Sequence, residues 1–159
     1  MDSRILDVLE EAFGGELELL SDLGSLEAVI SKKLQTLGQG LLQRMVRRKP
    51  NGYEGSSVGC SCGRRKRFIG HRSRQIHTVF GWVEIPRAYY HCDNCKSSDA
   101  PYDRAAGLGS EQISPALAKA CCLLAVDDSF DESARKWLDN GLSRHVGAKP
   151  LMRTAIKAG

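Results

Sequence analysis

Four cysteines stand in two close pairs, Cys60 with Cys62 and Cys92 with Cys95, with 29 residues between the pairs. Two thiolates one or two residues apart can be offered by a single tight turn. Two such turns supply the four soft ligands of a tetrahedral Zn(2+) site. The second pair has the usual two-residue gap, whereas Cys-x-Cys and the long interval are less common in zinc ribbons. The alternative chemistry is redox at Cys92 and Cys95, which needs a βαβ setting that the neighbouring residues do not provide. His91 is an alternative fourth ligand, but beside Cys92 on a strand it points elsewhere. His71 and His77 read as half-exposed strand residues. Cys121 and Cys122 fall in an apolar run and read as core. The metal reading therefore assigns Cys60, Cys62, Cys92 and Cys95.

The second chemical signal is charge. The chain of 159 residues carries a formal charge of +4, but residues 1–43 hold a net −5, residues 44–74 a net +9, and residues 75–159 balance. Arg64, Arg65, Lys66, Arg67, Arg72 and Arg74 crowd directly after the first cysteine pair. Such a block on a rigid scaffold is suited to phosphates, and double-stranded DNA is the partner it implies. A solvated basic loop is the plainer alternative.

These residues must be held by elements, and the chain divides into three parts. Residues 1–49 read as an N-terminal helical region. Ile5, Leu6, Leu9 and Phe13 recur at helical spacing, and Gly14 with Gly15 is expected to end that helix. A second helix is expected to start after Ser25 as N-cap and to run to about Arg48. From Leu23 its apolar positions Leu26, Ile30, Leu34, Leu37, Leu41 and Met45 step by 3, 4, 4, 3, 4, 4, an eleven-residue repeat suited to a nearly straight helix. The expectation is that this stripe packs inside the chain, with self-association as the alternative.

Residues 50–105 read as a loop-rich zinc ribbon. Pro50, Asn51 and Gly52 break the helix. Two strand-like runs, 74–80 and 82–90, meet at Phe80 and Gly81, where glycine supplies the positive φ of a tight hairpin. Val83, Ile85 and Tyr89 share one face, and Arg87 interrupts it. Pro86 has no N–H to give a neighbour, so its strand should lie at an edge or bulge there.

Residues 106–159 read as helical. Ser114 and Pro115 open a helix to about Val126. A second is expected from Ser129 or Asp131 to Asn140 and Gly141, and a third from Lys149 to Ala158. The arrangement is helix-turn-helix-like, with Lys149, Arg153, Thr154 and Lys157 offered to DNA. A plain three-helix bundle is the alternative.

Certain motifs resemble a known family. Cys60-Ser61-Cys62-Gly63, the segment 78–81, Arg87 through Tyr89, Tyr90, Cys92 and Cys95, then Pro101, Asp103 and Gly107-Leu108-Gly109 are similar to the amino-terminal part of bacterial insertion-sequence transposases of the Kra type. Those read Cys-Pro-Cys-Gly, a Thr and Gly before a strand, Arg-x-Tyr-Tyr-x-Cys-x-x-Cys and Pro-x-Asp. Ser129, Phe130, Ala134 and Leu138 resemble the helical region that follows. The resemblance covers roughly residues 20–158, departs at Gly147 to Pro150, and implies zinc and DNA binding. In that family a ribonuclease-H-like catalytic domain with three metal-binding carboxylates comes next.

The fold class expected is α+β: N-terminal helices, a small zinc-ribbon hairpin module, and a C-terminal three-helix bundle. Catalysis is not expected, because no carboxylate constellation, His-x-Glu deaminase signature, phosphate loop or nucleophile elbow is evident. No small-molecule substrate is expected either. No signal peptide or membrane span is expected, which gives a cytoplasmic, nucleoid-associated protein. The function expected is DNA binding without strand transfer, alone, with itself, or in a larger nucleoprotein complex. An adaptor whose ribbon docks on a protein or RNA-guided complex is the alternative.

Overall fold

The computed structural model describes residues 3–124. The elements run α1 (Ser3–Leu17), α2 (Leu23–Arg48), β1 (Ser57–Gly59), β2 (Arg65–Thr78), β3 (Gly81–His91), β4 (Ser98–Asp99), α3 (Pro101–Ala105) and α4 (Pro115–Leu124). The four strands form one antiparallel sheet in sequence order. The fold is thus α+β, with helices before and after a meander.

Helix α1 continues through Gly14 and Gly15 to Leu17, past the expected stop. Packing on α2 compensates the glycines' low helix propensity: Lys33 Nζ lies 2.6 Å from Glu16 and also sits over the Phe13 ring. Helix α2 begins two residues ahead of Ser25. Asp22 is the N-cap, and its carboxylate accepts from the Ser25 N–H at 2.8 Å. An aspartate three positions before an available N–H competes well for that role. The helix ends at Arg48, as its sequence predicts.

Helix α2 meets the sheet with a polar face. Gln43 Nε2 donates to the Glu84 carbonyl and its Oε1 accepts from the Glu84 N–H, both at 2.8 Å. One turn earlier, Gln39 Nε2 donates to the Trp82 carbonyl at 2.7 Å. Further along β3, the Ala88 N–H donates to the Asn51 carbonyl. Side-chain amides and a loop thus complete the edge of β3 that no strand covers, which a bare edge would leave to chance pairing. Pro86 lies between Glu84 and Ala88 on that same edge, where a missing N–H costs no ladder bond. The apolar stripe of α2 points the other way. Leu23, Ile30, Leu34, Leu37, Leu41 and Met45 are exposed, so the expectation that they pack inside the chain fails among the described residues.

The sheet is larger than the expected hairpin. Strand β2 starts at Arg65, not near Arg74, because β1 supplies hydrogen-bonding partners for Arg65, Lys66 and Arg67. The basic run is strand rather than loop. Gly81 has the expected positive φ, +113°, but opens β3 after a two-residue turn at Val79 and Phe80, one residue ahead of the expected junction. On one face Val58, Ala88 and Tyr90 pack with Phe68. The buried Tyr90 hydroxyl accepts from the Glu54 N–H and donates to the Gly55 carbonyl, which ties down the segment after α2. His77, expected half-exposed, is only 3% exposed and stacks on Trp82 with ring centroids 4.6 Å apart. Its backbone pairs with Gln112 and Ser114, so the segment ahead of α4 runs along the end of β2. Leu117 and Cys121 of α4 are fully buried. The two further helices expected beyond α4 lie outside the described residues.

Arg87, which breaks the apolar pattern of β3, is half of an internal lock. Arg74 and Arg87 both donate to Asp103 Oδ2 from α3, Arg74 at 2.9 Å. Arg74 also donates to the carbonyls of Gly109 and Glu111 at 2.6 and 2.7 Å. One carboxylate therefore holds two largely buried guanidiniums, and its removal leaves both uncompensated. Asp103→Ala should destabilise the metal-loaded protein by about 3 kcal/mol, read from guanidinium-chloride unfolding. A loss below about 1 kcal/mol, the worth of a surface pair, would contradict the lock.

Candidate metal centre

The four cysteines come from one end of the β2–β3 pair, two ahead of β2 and two after β3. Cys60 and Cys62 sit in the turn between β1 and β2, where Gly63 takes φ +80° and its N–H donates to the Cys60 carbonyl. Cys92 and Cys95 follow β3, in a turn closed by the Lys96 N–H to the Cys92 carbonyl and the Cys92 N–H to the Ser97 carbonyl. Lys96 takes φ +60° there. Pairing of Arg67 with His91 sets the two turns side by side.

All four sulfurs lie within 4.8 Å of one another. Cys60 to Cys62 and Cys60 to Cys95 are 3.5 Å, and Cys62 to Cys92 is 3.7 Å. A zinc–sulfur bond of about 2.3 Å in a tetrahedron places sulfurs about 3.8 Å apart. The cluster fits that figure and is far from disulfide length. It is geometrically able to coordinate a metal ion. His91 is not part of it; its Nδ1 hydrogen-bonds the Ser98 hydroxyl at 3.0 Å. Cys121 lies apart in α4, where burial pushes its thiol up to about 11.

The surroundings favour thiolates unevenly. The Cys62 N–H and then the Ser97 hydroxyl lower Cys60 to about 6. Ser97, through its hydroxyl and N–H, also lowers Cys95. At Cys62 the Arg64 N–H favours the thiolate, but Cys60, burial and Cys92 outweigh it, and the thiol stands above its ordinary value. Asn94 Nδ2 donates toward Cys62 Sγ at 3.7 Å. Thiolate is the ligating form, so Cys60 is prepared for a metal at neutral pH. Sequence reasoning missed Ser97 and Asn94; their polar side chains in and just after the second turn were the available signal.

The basic residues are sorted by the sheet. Arg67 and Arg72 are five apart and would face opposite sides of a regular strand. A bulge between Phe68 and Gly70 inserts one residue, so Arg65, Arg67, Arg72 and Arg74 share the face of Arg87 and Tyr89. Lys66 lies on the other face, mostly buried and 3.8 Å from Asp99. Arg65 donates to the Ser57 hydroxyl and carbonyl. Arg67 pairs with Asp93 at 2.5 Å but stays exposed. Arg72 is exposed over the Tyr89 ring, 4.1 Å from its centroid. Arg64 is exposed in the metal-site turn. Arg74 is turned inward by Asp103. Lys149, Arg153, Thr154 and Lys157 lie outside the described residues.

Comparison with known proteins finds no matching family, no similar curated protein and no similar solved structure. Among the described residues no helix is long and apolar enough to cross a membrane. The chain is a small α+β domain with a four-cysteine cluster of the kind zinc-ribbon modules use.

Protein purified without chelator should carry one zinc per chain by elemental analysis, and Cys60→Ser should lose it. Chelation should remove amide-exchange protection across residues 58–100 while α1 and α2 keep theirs, because metal binding and local folding are coupled. Full zinc retention in Cys60→Ser would contradict the assignment.

Proposed function

We propose that the chain is a zinc-stapled DNA-binding module, similar to the part that precedes the catalytic domain in Kra-type insertion-sequence transposases, and that it binds duplex DNA without cutting it. The observation that carries this reading is the arginine row on one sheet face. On that face Arg65, Arg67 and Arg72 stay exposed after Asp103 has turned Arg74 inward, and Arg64 is exposed in the adjoining metal-site turn. The exposed Lys49 just after α2 adds charge of the same sign. A rigid row of guanidiniums neutralises phosphates without reading sequence. Base readout falls to Arg153 and Thr154, on the helix-turn-helix reading of the C-terminal sequence.

Neutralising Arg64, Arg67 and Arg72 together should weaken every duplex alike. Each phosphate contact contributes about 0.9 to the slope of log affinity against log salt, so the slope should shrink by about 2 to 3. Arg74→Gln should instead lower stability and leave that slope nearly unchanged. Arg153→Ala should cost about 1–3 kcal/mol on a preferred site and little on a scrambled duplex. Fluorescence anisotropy at several salt concentrations reads all three. An unchanged slope in the triple variant would overturn the reading in favour of a protein-docking adaptor.

A further inference from the structure

The apolar stripe of α2 has no use in the metal site or in the arginine row. Its residues recur every eleven positions: Leu23, Leu34 and Met45 in one register, Leu26 and Leu37 in a second, Ile30 and Leu41 in a third. An eleven-residue repeat stays on one side of a nearly straight helix. At 3.6 residues per turn that side is opposite Gln39 and Gln43, which hold α2 to β3. Six of these side chains are 43% to 72% exposed. Together they leave apolar surface on the order of 600 Å², a size that marks an interaction site rather than scattered surface residues. A groove of about 800 Å³ beside α2, lined among others by Phe13, Val29, Leu37 and Leu41, extends it.

The charges along the helix select the occupant. Asp22 and Glu27 lie at the start of α2, with Glu18 just before it. Arg44, Arg47, Arg48 and Lys49 lie at its end. Arg44 and Arg48 flank or continue the stripe, and Glu27 flanks it at the other end. Two parallel copies would set each basic end against the other. Two antiparallel copies related by a two-fold axis at Leu34 set acidic start against basic end, twice. The same axis places Leu23 opposite Met45 and Ile30 near Leu37. We propose that α2 is an antiparallel homodimerisation helix and that a second copy of this chain covers the stripe. The contact is isologous, so it closes as a dimer and does not propagate. Two α2 faces of this size approach the burial of an ordinary specific interface. The inference does not depend on DNA binding, and its test contains no DNA.

Sedimentation equilibrium of the full, metal-loaded chain over about a hundredfold concentration range should show a reversible monomer–dimer equilibrium. Leu34→Glu, at the axis and already exposed, should weaken the dimer at least about tenfold while circular dichroism shows unchanged helix. Arg44→Glu with Arg48→Glu should also weaken it, because the partner's acidic end would then face like charge. Adding Glu18→Lys and Glu27→Lys in the same chain, which leaves the Asp22 cap intact, should restore it. A monomer at every concentration would overturn the proposal and leave the stripe to residues 125–159 or to another protein. A dimer strengthened by Arg44→Glu with Arg48→Glu would overturn the antiparallel arrangement, since only parallel copies gain from relief of that repulsion.

Discussion

Four sulfurs within 4.8 Å of one another are not a stable arrangement by their own chemistry. Thiols are weak hydrogen-bond partners, and thiolates repel. The apolar cluster beside them, Val58, Ala88, Tyr90 and Phe68, is small. A divalent cation changes the sign of the problem, because it attracts the charge that the thiolates would otherwise oppose. The closing of the two turns on each other is therefore the part of the fold that a bound metal would secure, whereas the register of β2 against β3 is carried by their own pairing. Ser97 contributes by favouring charge on both Cys60 and Cys95 before any metal arrives.

From that staple outward, the structure separates charges that hold the fold from charges left in solvent. Asp103 gathers Arg74 and Arg87, and Asp99 gathers Lys66 and Arg104. The remaining guanidiniums line up because of a single extra residue at the bulge. Without it Arg72 would face the side of Tyr90 and Phe68, where an unpaired charge is costly. The row that the proposed DNA contact uses is therefore a consequence of strand irregularity rather than of the basic run alone. Helix α2 steadies the same sheet through Gln39 and Gln43, which leaves its apolar face exposed.

Local chemistry was legible in the sequence. The cysteine pairs, the turn at Gly81 and the edge position of Pro86 each follow from what one or two residues can do by themselves. Arg87 was visible as an anomaly, but its partner Asp103 is sixteen residues away and no periodicity links them. The apolar repeat of α2 is legible as a stripe, but among the described residues it stays exposed instead of packing inward. The face that docks on the sheet is made of amides completing β3, so hydrophobic pattern pointed away from the fold rather than into it. The bulge at Phe68 and Gly70 left no trace in hydropathy, and the early start of β2 depended on β1, too short to be read as a strand. Glycines in α1 were overruled by contacts that lie on another helix.

The central claim is that all four of these cysteines, and neither Cys121 nor Cys122, bind one metal that closes the sheet. Cobalt(II) titration into the chelated, reduced chain, followed by visible absorption and counting of alkylatable thiols, addresses it most directly. The account predicts the intense bands of a tetrahedral tetrathiolate at one equivalent, displacement by one equivalent of zinc, and protection gained on metal binding by four of the six thiols. A weak octahedral spectrum, or protection of only two thiols, would contradict it.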